Sequence, residues 1–294
     1  MRDVDKLNES YDITEHMLKK DKWNTYRTHL GNICDIEKLR RKLILTKITP
    51  KDFYMIYVNL EIIKNLYETA IKDSKLAKYI NTYISPTLIQ DCNDLMKFMD
   101  DNLLIKRCRE IDTLSFDKVL QTFSTFVKKG ASKIVDEKVK CCVDSKDQLI
   151  CIKESFNALL ASFEKKVSKD FIKIHETATL GTSLLTTQRR SIILKREIEN
   201  IIKSKGKNYI LSYKSKYTKS EELIELDLSQ IEYRATSSSA NGKNIAVSSS
   251  QIKAICNNVR TSKDKLVREL EIFFQDFVSK FVKFENKLDN IIEF

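Results

Sequence analysis

The chain has 294 residues, with 52 Lys+Arg against 41 Asp+Glu and a formal charge of +11. That length allows one large domain or two ordinary ones, and 42% hydrophobic with 32% charged residues supplies a core but too much charge for a membrane-embedded chain. Five Gly and two Pro in all argue against an all-β fold and a glycine-rich nucleotide loop, which are built from those residues.

Residues 1–9 are polar and carry Asp3, Asp5 and Glu9, unlike a secretory signal. No window holds the ~18 to 20 apolar residues of a membrane span. Residues 12–165 read as helix after helix. In 52–72, Phe53, Ile56, Tyr57, Leu60, Ile63, Leu66 and Tyr67 recur at steps of three and four, which makes an amphipathic face. Thr49 before Pro50 supplies an N-cap followed by proline at the first helical position. Similar segments are predicted at 87–106, 115–129 and 147–165, the last with Leu149, Ile152, Phe156, Leu159, Leu160 and Phe163.

The pattern changes near residue 166. Segments 171–175 (FIKIH), 182–187 (TSLLTT), 208–213 (NYILSY) and 224–233 are short and β-branched or alternating, as strands are. Between them, 188–203 has helical spacing and is closed by Gly206. Asn241-Gly242 lies between Ser-rich and β-branched arms, a two-residue hairpin signal. After Ser250 one long helix is predicted to the end of the chain, with a stripe at Leu266, Leu270, Phe273, Phe277, Phe281 and Phe284 and no Gly or Pro beyond Lys243. Its three-four alternation is coiled-coil-like. The stripe faces either an earlier helix of the same chain or a second chain.

Motifs for chemistry are missing. A Walker loop needs Gly, four residues, then Gly-Lys-Ser/Thr, but Gly206-Lys207 and Gly242-Lys243 have Ile201 and Ser237 at the first glycine, and Asn after each lysine. His175-Glu176 begins a zincin pattern that fails at Thr179, and His16, His29 and His175 are scattered. Seven Cys form no CxxC pair, and an odd count argues against a disulfide framework and for a reducing intracellular compartment. Zinc held by Cys141, Cys142 and Cys151 would need a spacing that structural sites seldom use. The expectation is a non-catalytic chain with no metal or cofactor.

The charge is local. Between Arg189 and Lys219 there are ten Lys/Arg and two Glu, a net +8 that leaves +3 for the other 263 residues. Tyr209, Tyr213 and Tyr217 are interleaved with these cations. Such a segment suits a polyanion, because lysine and arginine neutralise phosphates and release counterions without reading sequence. A solvated basic face is the plain alternative, and the acids Glu221, Glu222, Glu225, Asp227 and Glu232 follow directly. A membrane surface would also attract this charge, but no exposed apolar face accompanies it.

The run LGNICDIEKLRRKL (30–43), followed by TPKDF (49–53), resembles the core of the MutS DNA mismatch-repair family, where an isoleucine-x-Asp-hydrophobic-Glu-basic run precedes a Pro-x-Asp. FVKKG (126–130) with Asp136-Glu137, and then the stretch from Leu149 to Leu160, is similar to the family's helical approach to its lever. FIKIHE (171–176), Gly181, LLTTQRR (184–190) and Leu194-Lys195 resemble the start of its clamp domain, especially in the giant-virus and coral-mitochondrial branch. Arg234-Ala235-Thr236, Lys243-Asn244-Ile245 and the residues from Ser249 to Ile252 resemble the clamp's exit into a returning lever. Thr182 and Ser183 stand where many relatives have aromatic residues, and none of the Phe is followed by x-Glu, the family's mismatch-reading pattern.

The resemblance implies a mainly α fold with a small α+β insertion: a helical core with long lever helices and a mixed, β-containing clamp module at the tip. Its divisions are helical core and outgoing lever (1–165), clamp (166–249) and returning long helix (250–294). It implies a fragment or degenerate paralogue of a larger protein that grips the phosphate backbone of double-stranded DNA, and allows a homodimer of that parent. ATP and Mg belong to an ATPase domain absent from this chain, and the compartment is a viral factory, the cytoplasm or another DNA-containing space. The residues expected on phosphate are Arg189, Arg190, Lys195, Lys205, Lys207, Lys214, Lys216 and Lys243. The competing expectation is a helical coiled-coil scaffold with no nucleic-acid role.

Overall fold

The computed structural model describes residues 4–19, 23–116, 125–164, 170–177, 181–236 and 244–294. The chain divides into two compact units, Met1–Lys133 with Leu270–Phe294, and Ile134–Glu269. One limit falls at the start of a helix and the other within one.

The first unit is helical. It contains α1 (Val4–Leu18), α2 (Trp23–Leu30), α3 (Ile36–Ile44), α4 (Pro50–Ala70), α5 (Ser74–Tyr83), α6 (Leu88–Asn102) and the single turn α7 (Ile105–Cys108). The start of α4 is a full capping box: Thr49 accepts from the Asp52 amide while Asp52 accepts from the Thr49 amide, with Pro50 in the first turn. Lys42 adds an ion pair to Asp52 at 2.7 Å. Asn59, 1% exposed, ties α4 to the α2–α3 connection by bonding both the amide and the carbonyl of Cys34 at 3.0 Å.

Of the predicted helix over 115–129, residues 117–124 lie outside the described residues, and 115–116 and 125–129 are not helical. The backbone there is used differently: Val127 bridges Leu103, while Leu104 and Lys128 donate to Phe126 and Asn102.

The predicted single terminal helix is two, α10 (Ser250–Val282) and α11 (Glu285–Glu293). No Gly or Pro causes the break. Phe284 instead turns its ring onto Phe98, 5.1 Å between centroids, while α11 is held to α3 by Arg40 with Glu285 and Asp289. Lys287 pairs with Asp91 and Asp94 of α6, and Asn290 donates to Asp91. Burial alone would raise the Asp91 carboxyl, but the bonds from Asn290, Thr87 and Lys287 outweigh it and hold it below the ordinary range. Lys287 holds Asp94 down likewise, and is itself raised by that contact.

The terminal stripe is covered within the chain. Phe53 meets Phe277 and Phe281 at 4.9 Å each and Phe274 at 5.9 Å, all edge-on, the arrangement that ring quadrupoles favour. The buried stripe runs Leu270, Phe274, Phe277, Phe281, so Phe274 takes the place expected for Phe273.

The second unit is built on α8 (Lys133–Ala161) and the part of α10 up to Glu269. It adds β1 (Lys173–Thr177), β2 (Gly181–Thr187), α9 (Gln188–Lys205), β3 (Asn208–Lys214), β4 (Glu221–Asp227), β5 (Glu232–Ala235) and β6 (Asn244–Ser248). One antiparallel sheet has the order β1-β2-β6-β5, and β3-β4 form a separate hairpin. Leu149, Ile152, Phe156 and Leu160 of α8, Leu194 and Ile198 of α9, and Ile252, Cys256 and Val259 of α10 share one core with Leu184, Val247, Leu211 and Leu226 of the strands. The fold is therefore mainly helical with a small antiparallel β portion.

Local differences from expectation have local causes. The strand predicted at 171–175 starts at Lys173, because Phe171 and Ile172 give their backbone to side chains. Ile172 donates to Asn157 at 2.7 Å and Phe171 accepts from Thr186 at 3.1 Å. The single strand predicted over 224–233 is cut in two at Asp227, whose carboxylate accepts from the Ser229 amide and caps a 3-10 turn. Asn241-Gly242 lies outside the described residues. Gly206, at φ +90°, ends α9 as expected.

Candidate nucleic-acid interface

The second unit holds 25 Lys+Arg against 17 Asp+Glu, a net +8 of the chain's +11. Side chains contiguous in sequence are spread over its elements. Arg189 and Lys205 are sixteen residues apart on α9, about 24 Å at 1.5 Å per residue. Lys207 and Lys214 flank or end β3, about 23 Å apart at 3.3 Å per residue.

Three of the eight expected contacts are engaged inside the chain. Arg190 lies 3.1 Å from the nearly buried Glu164 carboxylate, bonds the Phe171 carbonyl at 3.5 Å and covers the Phe171 ring at 5.1 Å. Arg189 reaches the same carboxylate at 3.6 Å from a largely exposed position. Lys216 sets its ammonium 3.5 Å from Asp147. By contrast, Lys195, Lys205, Lys207 and Lys214 are exposed, and no ion pair among the described residues involves them. Lys243 lies outside the described residues.

The hairpin's turn is anchored to α8. Ser215, fully buried, donates to Asp144 at 2.8 Å and accepts from the amides of Tyr217 and Thr218 at 3.3 and 3.2 Å. The Lys216 amide donates to Asp147 at 2.8 Å. Lys219 closes the turn at φ +66°, a region that costs a side-chain-bearing residue about 1 kcal/mol, with its amide on the Ser215 carbonyl at 2.9 Å. These bonds hold Lys214, Lys216 and Lys219 at one end of the hairpin.

Acids line the hairpin between its ends. Lys214 stands opposite Glu221 and Tyr213 opposite Glu222 in register, and Asn208 donates to Glu225 at 2.7 Å. Favourable ground for an anion is thus divided into two groups. Lys205 and Lys207 lie where α9 passes into β3, and Lys214, Lys216 and Lys219 lie at the turn. Their separation of about 23 Å corresponds to about seven base-pair steps of 3.4 Å.

A further cation, Lys146 of α8, lies within electrostatic reach of Lys216 at the turn. Burial pulls Lys146 of α8 below the ordinary lysine value, Glu176 opposing, and Lys216 and Lys263 of α10 push it the same way by like charge. Residues 146, 216 and 263 lie far apart in sequence, so no local window unites them. Only pairing α8 with α10 would have found them.

Among the described residues, no group of three or more His, Cys, Asp or Glu could hold a metal. Cys142 is buried beside exposed Cys141, and nine residues of helix put Cys151 about 14 Å further along. No described helix is long and apolar enough to cross a membrane. No protein-family model matches the chain, and no curated protein matches it. What fold and site define is a mainly helical chain whose β-containing unit carries most of its excess positive charge.

Proposed function

We propose that this chain grips the phosphate backbone of double-stranded DNA without reading sequence, as a lever-and-clamp part of a MutS-like mismatch-repair protein. The observation that carries this reading is the +8 unit in which Lys195, Lys205, Lys207 and Lys214 are exposed and form no ion pair among the described residues. Unpaired lysines release counterions on meeting phosphate without first giving up an internal partner. On this reading α8 and α10 are the outgoing and returning levers and residues 166–249 the clamp. A homodimer of the parent would set two clamps around DNA.

The chain's own part is binding and mechanical coupling, with no chemistry. The Gly206-Lys207 pair is not arranged as a nucleotide loop: it lies between a helix and a strand, the reverse of the strand-loop-helix order that cradles phosphates. Nucleotide hydrolysis is assigned to an ATPase domain elsewhere in the parent.

The test is fluorescence anisotropy of a labelled duplex. Wild-type affinity is expected in the non-specific range, roughly 10⁻⁴ to 10⁻⁶ M, and equal for unrelated sequences. Replacing Lys195, Lys205, Lys207 and Lys214 by Glu should weaken it at least about tenfold. Unchanged affinity in that variant defeats the proposal.

A further inference from the structure

A groove of about 220 Å³ opens between the start of β2, the end of β6 and the first turns of α10. Its floor is apolar, formed by Leu184, Val247, Ile252 and Cys256. One position round from the buried α10 stripe of Ile252, Cys256 and Val259, the residues Lys253, Asn257 and Arg260 recur at i, i+4 and i+7 and flank the groove. Opposite them stands Thr182, on the same face of β2 as Leu184, while the Ser183 hydroxyl bonds the His175 carbonyl of β1 at 3.5 Å. Among the described residues, no carboxylate lines it.

Two features aim this groove at an anion. Arg260 is exposed and lies against Gly181, where an added Cβ would sit 3.8 Å from its Cδ and Nη1. No described residue pairs with its guanidinium, whereas Arg190 of the same unit is fully engaged. In addition, β2 outruns its partner: the β2–β6 ladder begins only at Leu184 opposite Val247, while β2 begins at Gly181. Successive strand residues direct their backbone groups to alternate sides. At least one amide of residues 181–183 therefore faces the β6 side with no strand to receive it.

We infer that this groove binds a phosphoryl group, carried either by a phosphate monoester or by a phosphodiester of a polynucleotide. Arg260 supplies the guanidinium fork, the free end of β2 an amide, and Asn257 and the Thr182 hydroxyl further donors. Fork-like, charge-assisted bonds of this kind favour phosphate over a spherical anion. Lys253 is shared with Glu232, 3.3 Å away, and sets the outer charge. The site lies on α10 and β2, apart from the lysines of α9 and the hairpin, and goes beyond the proposed clamp function.

The test is titration of the full-length chain with inorganic phosphate, at constant ionic strength, followed by the amide resonances of residues 181–183. Saturable shifts are expected, with affinity at least about tenfold weaker in Arg260→Ala and unchanged in Arg268→Ala, an exposed arginine further along the same helix. Should Arg260→Ala disturb the remaining spectrum, Arg260→Gln replaces it, with the same loss expected. Absence of saturable shifts in the wild type, or an unchanged titration in the Arg260 variant, overturns the inference. The four-lysine variant should keep its phosphate shifts whether or not it loses duplex, so the two proposals fail independently. A nucleoside monophosphate and a short duplex, compared at equal phosphate concentration, identify the monoester or the diester as the source.

Discussion

Ser215→Ala tests how the basic turn is held. Its hydroxyl makes one bond to a carboxylate, Asp144 at 2.8 Å, and accepts two longer ones from the Tyr217 and Thr218 amides. A hydrogen bond to a charged group contributes about 1.5–3 kcal/mol net. Asp144 is half-buried, so water recovers part of that. The two amide bonds are long, with Tyr217 half-buried and Thr218 exposed, and add a few tenths each. A cost of about 2 kcal/mol follows, which raises the population of the open turn about 30-fold at 1.4 kcal/mol per tenfold. Global unfolding of a chain with two units is a poor gauge of this, so the assay is amide hydrogen exchange of a peptide covering 207–228. Asp144→Ala should accelerate exchange similarly, and the double variant by much less than the product, a coupling of about 1.5 kcal/mol. Ser220→Ala, at an exposed site, should stay within about 0.5 kcal/mol of wild type. Exchange in Ser215→Ala within threefold of wild type would refute the anchoring.

Three other outcomes follow from the first unit and the thiols. The α11 anchorage should depend on pH at both ends. Asp91 and Asp94 are held low, so their contribution is present above the unfolded aspartate value near ~3.9 and is lost as pH falls through the lowered folded values. Lys287 is raised, so its share is complete below the unfolded lysine value near ~10.4 and disappears as pH rises through the higher folded one. Circular dichroism of Lys287→Met should lack the alkaline loss. Phe281→Ala, at a fully buried ring packed on Phe53, should cost about 3–5 kcal/mol, read as a lower urea midpoint for the first unit. In thiol labelling at pH 8, exposed Cys141 should react first, and Cys92, Cys108 and Cys256 only on unfolding, since burial pushes their thiols to about 11, 12 and 11.

Local patterns carried the elements whose determinants are local. Thr49, Pro50 and Asp52 announce the α4 start, and the alternation in 208–213 announces β3, because caps and period-two burial are settled within a few residues. The break at Phe284 was not legible: no helix breaker marks it, and its causes are Phe98, Arg40 and two aspartates of α6, far away in the chain. The second stretch of β-like residues after Ile224 hid a turn that Asp227 and Ser229 impose through a side-chain cap. The candidate site divides the same way. Net charge located the basic unit, but whether a given cation is free depends on distant acids, Glu164 for Arg189 and Arg190 and Asp147 for Lys216. Lys146 meets Lys216 and Lys263 only once α8, α10 and the hairpin share a core.

On the proposed function, the exposed lysines of the second unit bind duplex by counterion release. The most direct measurement is the dependence of duplex affinity on salt between 50 and 200 mM. With four unpaired lysines on phosphate, the slope of log K against log salt should be about −3.6, and charge reversal of Lys195, Lys205, Lys207 and Lys214 should flatten it by most of that amount. A wild-type slope near zero, or one that the four reversals leave unchanged, would contradict the account.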